Sequence, residues 1–326
     1  MGEEWRRGWH PEIIPPKKSE GSVLVVGAGP AGLEAALAAA RRGFEVHLAE
    51  ATSELGGRVS RESKLPGLSE WARVRDWRVG QLERMANVSI YRESSLEAEH
   101  VLEFGARHVA IATGSTWRSD GVGRDSGFPV PGFALPNVFS PDDLMSGRLP
   151  ADGPVIVWDD DHYYMGGVLA ERCRAAGLDV TLVTPASIIS AWTVNTLESL
   201  PIAKRIARLG IEVVTYSSVV GFDGSQVQLV NGLTGDTSEL PCASLVTVTA
   251  RLPVEDLYLS LEQMSDRWDA AGIASIARIG DCFAPSTIQQ AVYTGHKWAR
   301  SLDEGPELII PRELPMIESH PAKVTL

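Results

Sequence analysis

Three glycines near the N-terminus have the spacing of a dinucleotide-binding turn. Gly27, Gly29 and Gly32 form G-x-G-x-x-G. The first glycine permits the tight turn, the second lets backbone approach a pyrophosphate, and the third allows a helix to pack closely on a strand. Glu50 lies 18 residues beyond Gly32, where a carboxylate accepts hydrogen bonds from a ribose. We therefore expect a nucleotide to contact Gly27, Ala28, Gly29, Pro30, Ala31, Gly32, Glu50 and Ala51.

Three later motifs extend this predicted site. The glycine pair Gly56-Gly57 is followed by the cation Arg58. A predicted strand ends at the turn Thr113-Gly114. Ile279-Gly280-Asp281 places a carboxylate after the last predicted strand. In flavin-binding folds an aspartate at this place holds a ribityl hydroxyl, while the next helix directs its N-terminus at phosphate or flavin. The candidate residues from these motifs are Gly57, Arg58, Thr113, Gly114 and Asp281.

The elements needed to position these residues alternate between strand and helix. Val23–Val26 is a β-branched strand, Leu33–Arg42 an alanine-rich helix and Glu45–Ala49 a second strand. A further strand–helix–strand unit begins at Pro154. The pattern predicts an α/β fold with two dinucleotide-binding, Rossmann-like domains of the FAD/NAD(P)-linked reductase type, one inserted in the other. The predicted divisions are a lead-in at 1–21, a nucleotide domain at 22–150 and 245–326, and an inserted domain at 151–244.

The inserted unit lacks the glycines of a nicotinamide-cofactor site. Its first strand is followed by Asp159-Asp160-Asp161-His162-Tyr163-Tyr164-Met165. Each carboxylate close to a phosphate is repulsive by about 1 kcal/mol at 4 Å in water. The sequence therefore predicts that NAD(P) binding is lost. Adjacent acids favour a solvated turn over a metal site, and no catalytic or metal-binding residue is assigned.

Composition excludes several classes of partner. The net charge of −12 disfavours nucleic acid and anionic membranes. Three widely spaced cysteines form no C-x-x-C pair, which indicates reduced, cytoplasmic thiols and no iron–sulfur cluster built from these residues alone. No run of about 20 apolar residues suggests a membrane span, and the charged N-terminus does not look like a signal peptide.

Longer stretches resemble one family. The lead-in GEEWRRGWHPE, the block LPGLSEW at 65–71 and IGDCFAPSTIQQAVYTGHKWA at 279–299 are similar to the C-terminal third of the trimethylamine and dimethylamine dehydrogenase family. Histamine dehydrogenase and, more distantly, 2,4-dienoyl-CoA reductase are related to it. The resemblance implies an FMN-binding TIM barrel and a 4Fe-4S cluster elsewhere. The chain would then begin at the linker after the cluster, as a separate subunit or an excised piece.

The resemblance also implies a decayed nicotinamide site and a first site that holds ADP or FAD. ADP is favoured because a flavin without a nicotinamide partner has less obvious use, and FAD relaying electrons is the alternative. The implied function is the nucleotide-binding subunit of a heteromeric amine dehydrogenase that N-demethylates a methylated amine, with an electron-transfer flavoprotein as possible acceptor. A stand-alone FAD-dependent NAD(P)H oxidoreductase and a structural ADP-binding module are the other hypotheses. Residues 1–21, with Trp5 and Trp9, are expected to dock on the barrel subunit.

Overall fold

A computed structural model describes Trp9 and residues 13–303. In this part of the chain the strands are β1 (Ser22–Val26), β2 (Glu45–Ala49), β3 (Val88–Tyr91), β4 (His108–Ile111), β5 (Ser115–Trp117), β6 (Val138–Phe139), β7 (Val155–Asp159), β8 (Val180–Val183), β9 (Glu212–Val214), β10 (Ser217–Phe222), β11 (Gln226–Asn231), β12 (Thr237–Pro241), β13 (Ser244–Val248), β14 (Arg251–Pro253) and β15 (Ser275–Arg278).

The α-helices of the same part are α1 (Pro30–Arg41), α2 (Arg58–Glu62), α3 (Ala72–Leu82), α4 (Ala98–Phe104), α5 (Pro141–Met145), α6 (Met165–Ala175), α7 (Ser199–Arg208), α8 (Asp256–Gln263) and α9 (Ile288–Ser301). Within the described residues, no helix is long and apolar enough to cross a bilayer.

The first sheet is parallel, with the order β15-β4-β1-β2-β3. Its central strand β1 is apolar throughout because it is covered on both faces. Val23 and Val25 lie in one core cluster, whereas Leu24 and Val26 lie in another. The alanine-rich helix α1 packs against α9 so closely that a Cβ on Gly295 would lie 2.2 Å from the Ala31 carbonyl oxygen.

The second sheet is also parallel, with the order β6-β13-β7-β8-β9. A three-stranded antiparallel sheet, β10-β11-β12, accompanies it. These sheets confirm the predicted α/β class with two Rossmann-like units. The chain leaves the first sheet after β4, builds the second sheet, and returns with β15.

The strand pairings correct the predicted division of the chain. β6 (Val138–Phe139) was assigned to the first unit and β13 (Ser244–Val248) was placed at its return, but both flank β7 in the second sheet. Both runs are short, and only their long-range pairing shows which sheet they join. Between β5 and β7 the chain also forms the short helix α5, which is capped by Ser140.

The lead-in falls mostly outside the described residues, Trp5 included. Trp9 is described: it is half-buried, and the guanidinium of Arg300 lies 4.9 Å from its ring centroid. Trp9 therefore packs on α9 of its own chain. The last part of the predicted nucleotide domain, 304–326, also lies outside the description.

Candidate functional site

A cleft of about 1640 Å³ lies at the carboxyl ends of the strands of the first sheet and extends to the second sheet. Ligands of open α/β sheets bind at this edge. We call one part the nucleotide end, lined by Gly27, Gly29, Glu50, Gly57 and Asp281. We call the other part the aromatic end, lined by Trp71, Arg124, Asp161, Tyr163, Tyr164, Trp192 and Thr249.

The glycine turn has the geometry that its spacing predicts. Gly27 has a φ of +101°, and a Cβ there would lie 2.4 Å from the Ala112 carbonyl oxygen. A Cβ on Gly32 would lie 1.8 Å from the Gly27 carbonyl oxygen. A Cβ on Gly29, in contrast, meets nothing within 4 Å. Gly27 and Gly32 are thus required by close backbone packing, whereas the Gly29 position is open toward the cleft.

The start of α1 supplies hydrogen-bond donors to this open position. Gly29 is the N-cap and Pro30 the first helical residue. The first hydrogen bond of the helix runs from the Leu33 amide to the Gly29 carbonyl at 2.9 Å. The amides of Ala31 and Gly32 therefore have no acceptor within the helix. Such a helix start attracts phosphate through its amides and its dipole.

Glu50 is buried behind the turn at the end of β2. One carboxylate oxygen accepts from the Ala28 amide at 2.9 Å, and the other accepts from the amide and hydroxyl of Thr52 at 3.0 and 2.9 Å. The carboxylate is therefore fixed against the glycine turn. A carboxylate has about four lone-pair sites, and three are used here, so Glu50 retains capacity for one ribose hydroxyl on the oxygen that faces Ala28.

Gly57 and Arg58 both line the cleft and also contact other parts of the protein. A Cβ on Gly57 would lie 3.1 Å from the Gly29 Cα, so the glycine pair lets its loop lie directly against the turn. The Arg58 guanidinium is directed toward β5. It donates to the carbonyl and hydroxyl of Ser115 and lies 3.8 Å from Asp142. Arg58 Nη1 is buried without a hydrogen-bond partner in the described chain, so one donor remains.

Thr113 and Gly114 line the cleft but bind the returning chain. The Thr113 hydroxyl donates to the Val254 carbonyl, and the Val254 amide donates to the Gly114 carbonyl at 2.9 Å. The pair therefore holds the crossing between the two sheets.

Asp281 is engaged by protein groups on both oxygens. One oxygen accepts from Arg251 Nη1 at 2.5 Å and from the Ser115 hydroxyl at 2.9 Å. The other accepts from the Ser286 amide at 3.0 Å. Arg251, on β14, also lies over the ring of Trp117 at 5.4 Å. Asp281 thus keeps one lone-pair site, as Glu50 does, but its charge is paired with Arg251, which makes it a weaker acceptor for a ribityl hydroxyl.

A second buried acid lies between the two ends. Glu62 lines the cleft, and burial raises its pKa to about 7 although Arg58 opposes the shift. Burial also disfavours the charged form of Arg58 and therefore lowers its pKa. The two groups are 3.9 Å apart. No sequence pattern pointed to Glu62, because its surroundings include Arg251 and Asp281, which are distant in the sequence.

The acidic turn after β7 differs from its predicted arrangement. Asp159 and Asp160 are fully buried and are not cleft residues. Asp159 accepts from the His162 amide at 3.1 Å, and Asp160 accepts from the amides of Arg124 and Asp125. Only Asp161 lines the cleft. Of the three carboxylates expected beside a pyrophosphate, two instead hold the turn and the loop at 124–125.

Eleven of the thirteen predicted residues of the first site thus line one cleft, whereas Ala28 and Gly32 belong to the turn without lining it. Arg251, Glu62, Trp117 and Thr249 were missed. A cluster of three or more metal-binding side chains is absent from the described residues.

Comparison with known proteins agrees with this geometry. Residues 22–104, which contain the glycine turn and Glu50, match the family model of FAD dependent oxidoreductases. The fold and this match show that the segment 22–104 is a domain of the type found in FAD-dependent oxidoreductases.

The particular relatives are amine-oxidising enzymes. Dimethylamine dehydrogenase of Hyphomicrobium sp. (strain x) is 35% identical over 93% of this chain and 44% of its own length. The structure of histamine dehydrogenase from Rhizobium sp. 4-9 is 46% identical, with a TM-score of 0.90 over 96% of this chain and 48% of that one. That of 6-hydroxypseudooxynicotine amine oxidase from Pseudomonas geniculata N1 is 46% identical, with a TM-score of 0.88 over 92% and 45%.

The chain is therefore homologous to dimethylamine and histamine dehydrogenases over most of its length, as the sequence motifs predicted. It spans about half the length of these relatives. By their names, these relatives are oxidoreductases.

Proposed function

We propose that the chain is the nucleotide-binding subunit of an amine dehydrogenase that oxidatively demethylates a methylated amine. In this proposal the amine is oxidised at an FMN on a TIM-barrel partner that also carries a 4Fe-4S cluster. The observation that carries the proposal is the open position at Gly29. Gly29 is the N-cap of a helix whose first amides have no acceptor within the helix, and the turn that contains it is bound to Glu50. Homology to dimethylamine dehydrogenase supports the class of reaction.

The residues of the nucleotide end fit an adenine nucleotide. The amides of Ala31 and Gly32 would hold the pyrophosphate, and Glu50 would accept the ribose hydroxyls. Gly29 leaves space for the phosphates where any larger side chain would project. The chain itself contributes binding and orientation, since we assign no nucleophile or general base to the cleft.

We further propose that this nucleotide is ADP. FAD would supply electron transfer when bound, but its ribityl chain needs Asp281. That carboxylate is already neutralised by Arg251 and hydrogen-bonded to Ser115. ADP ends at the pyrophosphate and leaves the Arg251–Asp281 pair intact. An ADP-binding module without a part in electron transfer is the second candidate, and the same pair favours it over a stand-alone reductase.

Purification from the native host tests the subunit assignment. We expect the chain to co-purify with a protein containing iron and FMN, and the complex to reduce an artificial acceptor when a methylated amine is added. A version lacking residues 1–21 should lose the partner while it retains its nucleotide. A monodisperse free chain without an iron-containing partner, unaffected by that deletion, would contradict the proposal.

A further inference from the structure

The aromatic end of the cleft contains polar groups that the nucleotide proposal does not use. Thr249 is 2% exposed, lines the cleft, and its hydroxyl has no hydrogen-bond partner in the described chain. The Asp161 carboxylate also lines the cleft and makes no hydrogen bond to a described residue. Buried polar groups are normally paired, and a buried carboxylate is stabilised by a cation.

The backbone segments that carry these two groups are hydrogen-bonded to each other. The Asp161 amide donates to the carbonyl of Val248, the residue before Thr249, at 3.1 Å. Burial raises the pKa of Asp161, while the guanidinium groups of Arg251 and Arg124 act against that shift. Arg251 is itself paired with Asp281 at 2.5 Å. Asp161 is thus left as an acceptor at the floor of the aromatic end.

Aromatic rings form a wall beside this acceptor. The rings of Tyr163 and Trp192 are stacked, with centroids 6.1 Å apart and an interplanar angle of 20°. Tyr164 continues the wall, and Trp71 meets it edge-on at 5.3 Å. The Trp192 amide donates to the His162 carbonyl at 3.0 Å, which fixes the wall next to Asp161.

The wall already contacts one cation. The Arg124 guanidinium lies 5.4 Å from the Trp192 ring centroid, the range of a cation–π contact. Stacked rings 6.1 Å apart leave no slot between them, so a ligand would lie on the wall rather than in a cage.

We infer that the aromatic end is a second binding site, for an organic ammonium ion that carries at least one N–H and an apolar or aromatic group. The N–H donates to Asp161 and to the Thr249 hydroxyl, and the apolar group rests on Tyr163 and Trp192. This site goes beyond the proposed function and is independent of which nucleotide fills the other end.

Calorimetric titration with benzylammonium chloride, on chain saturated with ADP, tests the inference. We expect saturable binding, and binding of the neutral analogue benzyl alcohol weaker by at least about tenfold. Asp161→Asn should weaken benzylammonium binding by a similar factor, and Thr249→Val by about threefold or more. Asp125→Asn removes a nearby exposed carboxylate outside the cleft and should change the affinity less than about twofold.

Each variant is first checked for ADP binding and melting temperature, so that failure of the nucleotide site is seen separately. If Asp161→Asn does not fold, Thr249→Val and the benzyl alcohol comparison decide. No saturable heat with benzylammonium, equal affinity for benzyl alcohol, or unchanged affinity in a folded Asp161→Asn or Thr249→Val variant would overturn the inference.

Discussion

Arg251 and Asp281 form a close ion pair, with Nη1 and Oδ2 2.5 Å apart, at the junction of the two ends of the cleft. Arg251 begins the short strand that returns from the second sheet, whereas Asp281 follows the last strand of the first sheet. The pair therefore joins the two units at the place where a flavin-binding chain would offer its aspartate to the ribityl group. This relationship is the basis of the proposed preference for ADP.

Removing the cation from this pair should change the choice of nucleotide. Arg251→Met keeps an apolar side chain of similar length and removes the cation paired with Asp281, so the affinity for FAD relative to ADP should rise at least about tenfold. Arg278→Met is the matched control, because Arg278 pairs with Glu255 outside the cleft. Fluorescence titration with both nucleotides gives the ratio, and an unchanged ratio in Arg251→Met would refute the role of the pair.

Two glycines of the turn should respond differently to substitution. Gly29→Asp meets no neighbour and suits an N-cap, so the melting temperature should hold. Its charge and bulk occupy the pyrophosphate position, so ADP affinity should fall at least about 100-fold. Gly32→Ala places Cβ against the Gly27 carbonyl and should lower the free energy of unfolding by about 1–3 kcal/mol. Stoichiometric ADP in purified Gly29→Asp would show that the nucleotide binds elsewhere.

Glu62 should make stability depend on pH. Its pKa is about 7 in the folded chain against 4.5 as its ordinary value, so the folded state retains a proton that the unfolded state has lost. The free energy of unfolding should therefore fall as pH rises from about 4.5 to 7. Glu62→Gln removes this pH dependence. Relative to wild type, the free energy of unfolding of the variant should therefore rise by up to ~3 kcal/mol as the pH goes from about 4.5 to 7. Urea unfolding at several pH values measures the difference, and parallel profiles would contradict the prediction.

Neither NADH nor NADPH should bind at the second unit. The turn after β7 has no glycine before α6, whose N-cap is Tyr164, and Asp161 lines the approach. With the first site filled by ADP, calorimetry should detect no saturable heat at millimolar NADPH. If a preparation contains flavin, stopped-flow mixing should show no bleaching above background. Saturable binding or rapid bleaching would favour the stand-alone reductase instead.

The sequence predicted the parts of the site that depend on local geometry. Gly27 and Gly32 are recognisable because close backbone contacts require glycine there, and Glu50 follows one strand later. Arg251 and Thr249 could not be identified in this way, since they reach the cleft only through the register of β13 and β14. Pairing between strands distant in sequence also placed β6 in the second sheet. The burial of Asp159 and Asp160, where the sequence favoured a solvated turn, likewise depends on contacts with a distant loop at 124–125.

The nucleotide released from purified protein tests the central claim most directly. Denaturation followed by mass spectrometry and visible absorption should yield about one ADP per chain and no flavin band. FAD at the same ratio would preserve the adenine site but overturn the assignment of ADP. A preparation that releases no adenine nucleotide, and that shows no saturable ADP binding on titration, would contradict the account.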